Sequence, residues 1–314
     1  MSFIWLIIGF VFLIKGADIF VDNVASIARK LHVPSILIGL TIVAMGTSAP
    51  EAAVSVTSSL SGQNDMSIAN ILGSNFFNIL IVLGVSSIIT TLRVDINTIK
   101  KDTPFLILIS STLLLFVSDL NITRTEGVIL LSIFTYFILS TIKQAKVFNN
   151  KSKNCIKETA FTVVEKVSLQ KTILFSTIGV IGIVLGGDMV VNSATTIATT
   201  FGMSDNLVGL TIVAIGTSLP EFVTSIVAIN KGENDLAIGN IIGSNIFNIL
   251  LVLGLSMTIN PISVSLITVI DVYFMIFITV LLYLFMRINN SLLRRHGVLF
   301  VSLYIIYISY TILR

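Results

Sequence analysis

Two glutamates stand inside apolar stretches of this 314-residue sequence, and each one directly follows a proline. Glu51 ends the run GTSAPE, and Glu221 ends the run GTSLPE. A carboxylate buried at membrane depth needs a cation or a proton, so it marks a candidate functional site. The proline has no N–H donor and pushes against the preceding turn, which should free carbonyl oxygens near Thr47 and Thr217. The paired motifs therefore predict a set of oxygen ligands for a cation.

The number and charge of these oxygens favour calcium and sodium. Two carboxylates and two threonine carbonyls supply about six oxygens, within the range of six to eight that calcium takes. The two negative charges balance one divalent ion. The same oxygens, together with the hydroxyls of Ser48 and Ser218, could instead hold sodium ions at separate subsites. Competition for shared ligands would then give exchange.

A second polar motif follows each glutamate, as GSNFFN and then as GSNIFN. Ser74 and Asn78 in the first copy, and Ser244 and Asn248 in the second, are four residues apart and share one face of a helix. Their neutral oxygens would flank the carboxylates. Hydrogen bonding between membrane helices is the alternative role for each of these side chains, but their duplication at matching positions favours the site.

Both motifs belong to an internal repeat. Residues 39–84 align without gaps to residues 209–254 at a constant offset of 170, with 28 of 46 positions identical. Gly73 and Gly243 match within this repeat, and small residues at such positions usually allow membrane helices to approach closely. We expect both glycines to serve packing.

The elements that must position these residues are membrane helices. Only 11% of the residues are charged and the mean hydropathy is +1.00, whereas a soluble domain has about 25% charged residues. Continuous apolar runs favour helices over the alternating strands of a membrane barrel. We predict ten helices, over residues 3–28, 35–61, 66–91, 103–119, 125–145, 171–200, 205–230, 235–258, 263–286 and 295–313.

Five helices in each half would turn the second copy over, which gives the inverted-repeat arrangement of many secondary transporters. The fold class is therefore an all-α polytopic membrane protein with helices that are discontinuous at mid-membrane. We assign residues 1–145 to the first repeat, 146–170 to a basic linker and 171–314 to the second repeat. Basic residues concentrate on alternate loops, so the positive-inside rule predicts a cell-membrane protein with its N-terminus outside and the linker in the cytoplasm.

Several other classes of function are disfavoured. Cys155 is the single cysteine, which excludes disulfides and cysteine metal clusters within the chain. The net charge of +3 comes from basic residues at helix ends, so no nucleic-acid partner is expected. His32 and His296 have no evident nucleophile beside them, which argues against an enzyme. No cofactor and no obligate protein partner is expected; membrane lipid surrounds the chain.

The doubled GTS-x-PE and GSN-x-F-N motifs resemble the alpha-repeats of the calcium/cation antiporter superfamily, in particular its prokaryotic sodium/calcium exchanger branch. The likeness covers nearly the whole chain. It implies a ten-helix exchanger with calcium and sodium as substrates, in which calcium is held chiefly by Glu51, Glu221, Thr47 and Thr217. By the same resemblance, the carbonyls of Ala44 and Ala214 complete sodium subsites. The remaining implied ligands are Ser48, Ser218, Ser74, Ser244, Asn78 and Asn248.

One departure from the family affects stoichiometry. Some members have an aspartate where this chain has Asn248, so a third acidic group is absent and the number of sodium ions per turnover stays open. The expected function is a secondary antiporter that exchanges Ca²⁺ for Na⁺ by alternating access. A cation/proton antiporter that uses the same glutamates is the nearest alternative, and a passive cation channel is an alternative of another class.

Overall fold

Helices make up nearly all of the chain that the computed structural model describes, which is residues 2–62, 64–156, 168–202 and 214–313. The first half contains α1 (Ser2–Leu31), α2 (Ser35–Ile38), α3 (Ala44–Thr47), α4 (Ala49–Leu60), α5 (Asn64–Phe76), α6 (Leu83–Ile89), β1 (Leu92–Arg93), α7 (Thr103–Val117), β2 (Asn121–Ile122) and α8 (Arg124–Ile156). The second half contains α9 (Leu169–Thr200), α10 (Ala214–Thr217), α11 (Leu219–Asn230), α12 (Asn234–Phe247), α13 (Gly254–Ile259), β3 (Ile262–Ser263), α14 (Leu266–Asn289), β4 (Ser291–Leu292) and α15 (Arg294–Leu313). The all-α membrane fold is confirmed.

Each of the ten predicted segments contains helix, but the number of membrane spans stays a prediction. Among the described residues, six helices are long and apolar enough to cross a membrane. A seventh span results if the bent pair Ser35–Thr47 and Ala49–Leu60 is counted as one. Residues 205–213 of the seventh predicted segment lie outside the described residues.

The largest difference from the predicted boundaries is at the end of α8. This helix continues to Ile156, well into the segment 146–170 that the sequence assigns to a linker. Residues 146–156 contain neither proline nor glycine, so nothing in their backbone chemistry ends the helix where the apolar run stops.

Both GTS-x-PE runs coincide with breaks between helices, as their prolines predict. The axes of Ser35–Thr47 and Ala49–Leu60 meet at 50°. Ser48, at the break, has φ −82° and ψ 10°, and Ser218 has the similar values −92° and 4°. Each proline lies in the first turn of the following helix, where its missing N–H breaks no intrahelical bond of that helix. The glutamate one residue later therefore also lies in a first turn.

Among the described residues, four π-helical segments interrupt the α-helices. They are Gly39–Val43, Phe77–Val82, Thr98–Asp102 and Asn248–Leu253. Two of them begin at the ends of the GSNFFN and GSNIFN motifs and contain Asn78 and Asn248. A π-helical turn inside an α-helix often marks a functional site.

The two halves are related by a two-fold pseudo-symmetry that exchanges residues at the offset of 170. Strand β1 pairs antiparallel with β4, and β2 pairs antiparallel with β3. Leu92 faces Leu292 in one pair, and Ile122 faces Ile262 in the other. Adding 170 to Leu92 and subtracting it from Leu292 gives the second pair of positions, so the symmetry extends well beyond the repeat visible in the sequence.

Helices α1 and α9 establish that the repeats are inverted. A Cβ built on Gly16 would lie 2.9 Å from the Gly179 carbonyl oxygen, and one built on Gly9 would lie 3.0 Å from that of Gly186. The helices are thus antiparallel over their length, although they occupy equivalent positions in the two halves. A two-fold axis that relates antiparallel membrane helices is perpendicular to them and lies in the plane of the membrane.

The expectation for the repeat glycines holds for Gly243. A Cβ there would lie 2.7 Å from the backbone of Leu40, so this glycine permits the contact between α12 and the Gly39–Val43 segment. Around Gly73 no described atom lies within 4 Å of the corresponding Cβ position. The residue equivalent to Leu40 is number 210, outside the described residues, so for Gly73 the expectation stays a prediction.

Substituting Gly186 should separate α1 from α9. An alanine Cβ at this position would lie 2.5 Å from the backbone nitrogen of Leu13, closer than real Cβ contacts allow. We expect Gly186→Ala to lower the unfolding temperature measured in detergent, despite the gain of about 1 kcal/mol that alanine brings to a helix.

The neighbouring glycine provides the matched control. A Cβ on Gly187 would make ordinary contact with Pro220 at 3.4 Å, so Gly187→Ala should leave the unfolding temperature unchanged or raise it. Equal destabilisation by both substitutions would contradict the close packing of α1 on α9.

A candidate cation site between the two halves

Both predicted glutamates are fully buried where the two halves meet. Glu51 lies in the first turn of α4 and Glu221 in the first turn of α11, each with 0% exposure. Burying a carboxylate is strongly unfavourable unless its charge is compensated. The partners of these two side chains therefore decide what the site can do.

Each glutamate accepts a hydrogen bond from the serine at the helix break of the opposite half. The Ser48 hydroxyl donates to Oε1 of Glu221 at 2.8 Å, and the Ser218 hydroxyl donates to Oε1 of Glu51 at 3.1 Å. These two bonds exchange under the offset of 170. The serine at the break in each half thus donates a hydrogen bond to the carboxylate of the other half.

A second serine, from the GSN motif of the same half, reaches each carboxylate. The Ser74 hydroxyl donates to Oε1 of Glu51 at 2.9 Å, and the Ser244 hydroxyl lies 3.5 Å from Oε1 of Glu221. The hydroxyls of Ser74 and Ser218 are also 2.5 Å apart. The sequence predicted that these side chains would flank the carboxylates, and the geometry places them there.

Four oxygen atoms of the site have no hydrogen-bond partner among the described residues although they are buried. They are Oε2 of Glu51, Oε2 of Glu221, Oδ1 of Asn78 and Oδ1 of Asn248. Nearly all buried polar atoms in proteins are satisfied, so each exception needs an explanation. Carboxylate and amide oxygens are the ligands that hard cations such as calcium prefer. The four free oxygens fit a cation bound between the halves.

The described part of the chain supplies no cationic side chain to the two glutamates. Its ion pairs join Arg29 to Glu233, and Lys231 to Asp18 and Asp22. Within those same residues, no group of three or more His, Cys, Asp or Glu side chains is placed to hold a metal ion. Two carboxylates surrounded by neutral oxygens suit calcium or sodium better than zinc, which takes nitrogen and sulfur ligands.

The remaining predicted residues surround this centre. The Thr47 hydroxyl is buried, 3.2 Å from the Val43 carbonyl oxygen and 3.4 Å from that of Ala44. Thr217 and Ala214 lie in α10, immediately before the break at Ser218. The roles of Thr47, Thr217, Ala44 and Ala214 as ion ligands stay predictions.

Three asparagines that sequence reasoning did not include belong to the same network. Oδ1 of Asn240 lies 3.0 Å from the Thr47 hydroxyl, and Asn75 and Asn245 accept hydrogen bonds from Asn248 and Asn78. All three are conserved between the two repeats of the sequence, which is the signal that could have identified them.

The fold defines a class: a polytopic membrane protein with inverted repeats and a buried pair of carboxylates where the repeats meet. The model of the family described as "Sodium/calcium exchanger protein" matches residues 1–143 and 171–313. The chain belongs to the sodium/calcium exchanger family.

Individual relatives agree with this assignment. The chain is 44% identical to the putative antiporter CaxA of Alkalimonas amylolytica over 82% of this chain and 81% of that protein. It is 31% identical to the sodium/calcium exchanger MaX1 of Methanosarcina acetivorans, covering 98% of this chain and 97% of that one. Among solved structures, the sodium-calcium exchanger NCX_Mj superposes with a TM-score of 0.85 at 31% identity, over 98% of this chain and 97% of NCX_Mj.

Removing a serine that bonds a glutamate across the halves should weaken cation binding. In Ser48→Ala and Ser218→Ala, one carboxylate loses a hydrogen bond that fixes its orientation. We expect each variant to bind Ca²⁺ about tenfold more weakly, as is typical when an outer partner of a metal ligand is removed. Equilibrium binding of radioactive calcium to the purified protein measures this.

Ser67 offers a control of the same chemistry. Its buried hydroxyl bonds to that of Ser256 at 2.8 Å and contacts neither glutamate. Ser67→Ala should leave calcium affinity unchanged. If it weakened binding as much as Ser48→Ala, the two crossed serine bonds would have no special part in the site.

Proposed function

We propose that this protein is a secondary antiporter that exchanges Ca²⁺ for Na⁺ across the membrane, with the ions held by Glu51 and Glu221. The observation that carries the proposal is that each half contributes one fully buried carboxylate with one free oxygen. A divalent ion neutralises the pair. The family assignment supports the same pair of substrates.

Exchange follows if both ions compete for shared ligands. Calcium needs both carboxylates for its charge, together with neutral oxygens to complete its shell. Sodium ions would use the same carboxylates singly with hydroxyl, amide and carbonyl oxygens from Ser74, Ser244 or Ala44. Occupation by one kind of ion then excludes the other.

Coupling of the two fluxes follows from the cost of an empty site. Two bare carboxylates in a low-dielectric interior resist crossing, so only loaded states switch readily between the faces of the membrane. In the proposed cycle, the α1–α9 pair and its neighbours rock across the core to expose the site alternately. If three Na⁺ move per Ca²⁺, one net charge crosses, which adds about 2.3 kcal/mol of driving force per 100 mV.

The proposed orientation places the N-terminus outside the cell and the basic segment 146–170 in the cytoplasm. Sixteen basic residues then face inside, and Arg124 and Arg314 face outside. The inward sodium gradient of a cell would drive calcium outward.

Calcium-45 uptake into sodium-loaded proteoliposomes tests the proposal, with the pH held equal on both sides of the membrane. Uptake should require internal sodium and stop when the sodium gradient is removed. Uptake that ignores sodium but follows an imposed pH gradient would replace the proposal with a cation/proton antiporter. Flux that needs no counter-ion would indicate a passive channel.

Neutralising either glutamate should abolish exchange. In Glu51→Gln or Glu221→Gln the site keeps its shape and one side-chain oxygen but loses half of its negative charge. We expect calcium uptake to fall at least a hundredfold, since removing about 3 kcal/mol of charge interaction corresponds to that factor.

The partly exposed Glu126 at the start of α8 serves as the control, because Glu126→Gln makes the same chemical change outside the site. This variant should transport normally. Normal transport by Glu51→Gln or Glu221→Gln would refute the site assignment, provided that size-exclusion profiles match those of the wild type.

Replacing Asn248 by aspartate should change the ion dependence of transport more than the folding. The amide nitrogen of Asn248 donates to Oδ1 of Asn75 at 3.1 Å. An aspartate has no such donor and adds a third carboxyl group to the site. The sodium dependence of uptake in Asn248→Asp should therefore differ from the wild type, while its unfolding temperature stays within a few degrees. An unchanged sodium dependence would count against Asn248 as part of the site.

A further inference from the structure

Four buried asparagines of the GSNFFN and GSNIFN motifs form two hydrogen bonds that cross between the halves. Nδ2 of Asn78 donates to Oδ1 of Asn245 at 3.3 Å, and Nδ2 of Asn248 donates to Oδ1 of Asn75 at 3.1 Å. The two bonds exchange under the offset of 170. All four side chains have at most 1% exposure, so water does not compete for these groups.

In Asn78 and Asn248 these bonds use only the nitrogen end of the side-chain amide. An asparagine amide has a donating nitrogen and an accepting oxygen. In Asn78 and Asn248 the nitrogen is engaged with the opposite half, and the oxygen is left buried without a partner. This is the orientation that a cation requires, since a reversed amide would present its N–H groups to the ion.

We propose that Asn75 and Asn245 are positioning residues, which hold the amides of Asn248 and Asn78 with their oxygens directed to the transported ion. The inference rests on the proposed function and deepens it. Neither positioning residue needs to touch the ion. Each acts by presenting an oxygen that accepts the amide nitrogen and repels the amide oxygen, so that only one of the two orientations is favourable.

The surroundings of Asn75 explain why it can impose an orientation. Its own Nδ2 lies 3.5 Å from the backbone oxygen of Asn245 and 3.7 Å from the sulfur of Met275. Both contacts direct the nitrogen away from Asn248 and the oxygen toward it. A hydrogen bond that only joined the two helices would not require this orientation, because either orientation of the amide could form one.

A double-mutant cycle on purified protein tests the inference. Asn75→Leu removes the accepting oxygen with little change of volume, and Asn248→Ala removes the amide that it orients. We expect Asn75→Leu to weaken equilibrium calcium-45 binding about tenfold, with a matching rise in the KM for calcium uptake and little change in the maximal rate. The double variant should bind no more weakly than Asn248→Ala alone, because Asn75 acts only through Asn248.

A second cycle within one half is the matched control. Ser48 bonds to Glu221 and shares no hydrogen-bond partner with Asn75 among the described residues, so Asn75→Leu and Ser48→Ala should have independent effects that multiply. The inference is overturned if Asn75→Leu multiplies with Asn248→Ala in the same way, or if it leaves binding unchanged. If Asn75→Leu does not fold, the mirrored cycle of Asn245→Leu with Asn78→Ala carries the same expectation and the same refutation.

The binding measurement separates this inference from the proposed function. If the wild type binds calcium but its uptake does not depend on sodium, the exchange proposal fails while the cycle still decides the role of Asn75. If sodium-dependent uptake is present and the cycle is multiplicative, only the positioning role fails.

Discussion

Two carboxylates buried in a low-dielectric interior impose the constraint that the rest of this structure satisfies. The hydroxyls around Glu51 and Glu221 occupy one oxygen of each, and neutral donors alone do not offset the charge of the pair. The second oxygen of each remains available to a cation. Under the proposed exchange, the transported ion is therefore part of the energetics of the loaded protein, and its departure leaves a charged pair that makes the empty state hard to move.

The helix breaks explain why the site needs both repeats. Ser48 and Ser218 lie at the breaks with non-helical backbone conformations, and each hydroxyl donates to the glutamate of the opposite half. The crossed asparagine bonds follow the same rule. A single repeat would contain every type of residue in the site and still lack half of the donors for its carboxylate. Duplication and inversion are thus requirements of the chemistry as much as of the membrane topology.

Most of this arrangement could be predicted because it is repeated in the sequence. The offset of 170 identifies the paired glutamates, the serines and the helix breaks, and apolar length identifies the helices. The orientation of the amides of Asn78 and Asn248 could not be predicted, because it depends on partners in the other half of the chain. The same holds for Asn75, which as a single residue in a helix resembles the polar groups that join membrane helices generally. The prediction placed the end of α8 at residue 145 instead of Ile156, because hydropathy indicates where the apolar run ends and not where the helix ends.

The two halves differ at the position of Lys231. Nζ of Lys231 lies 2.6 Å from carboxylate oxygens of both Asp18 and Asp22, and it donates to the backbone oxygen of Asp18. Partial burial lowers the pKa of Lys231, but the hydrogen bonds to these aspartates outweigh it and raise the pKa above its usual value. The equivalent positions in the other half are Ser61, Asp188 and Asn192, which cannot form such a tie because the lysine is absent.

Helix α1 is therefore fastened by charge at one end of the molecule, while α9 has no equivalent bond at the other. Under the proposed exchange, two perfectly symmetric halves would make the inward-open and outward-open states equal in energy. An ion pair at one end makes them unequal if it is made in one state and broken in the other. Exposed ion pairs contribute up to about 1 kcal/mol each, which is enough to shift the populations of two states severalfold. The repeat supplies the paired carboxylates, and the ion pairs of Lys231 mark a place where the two halves differ.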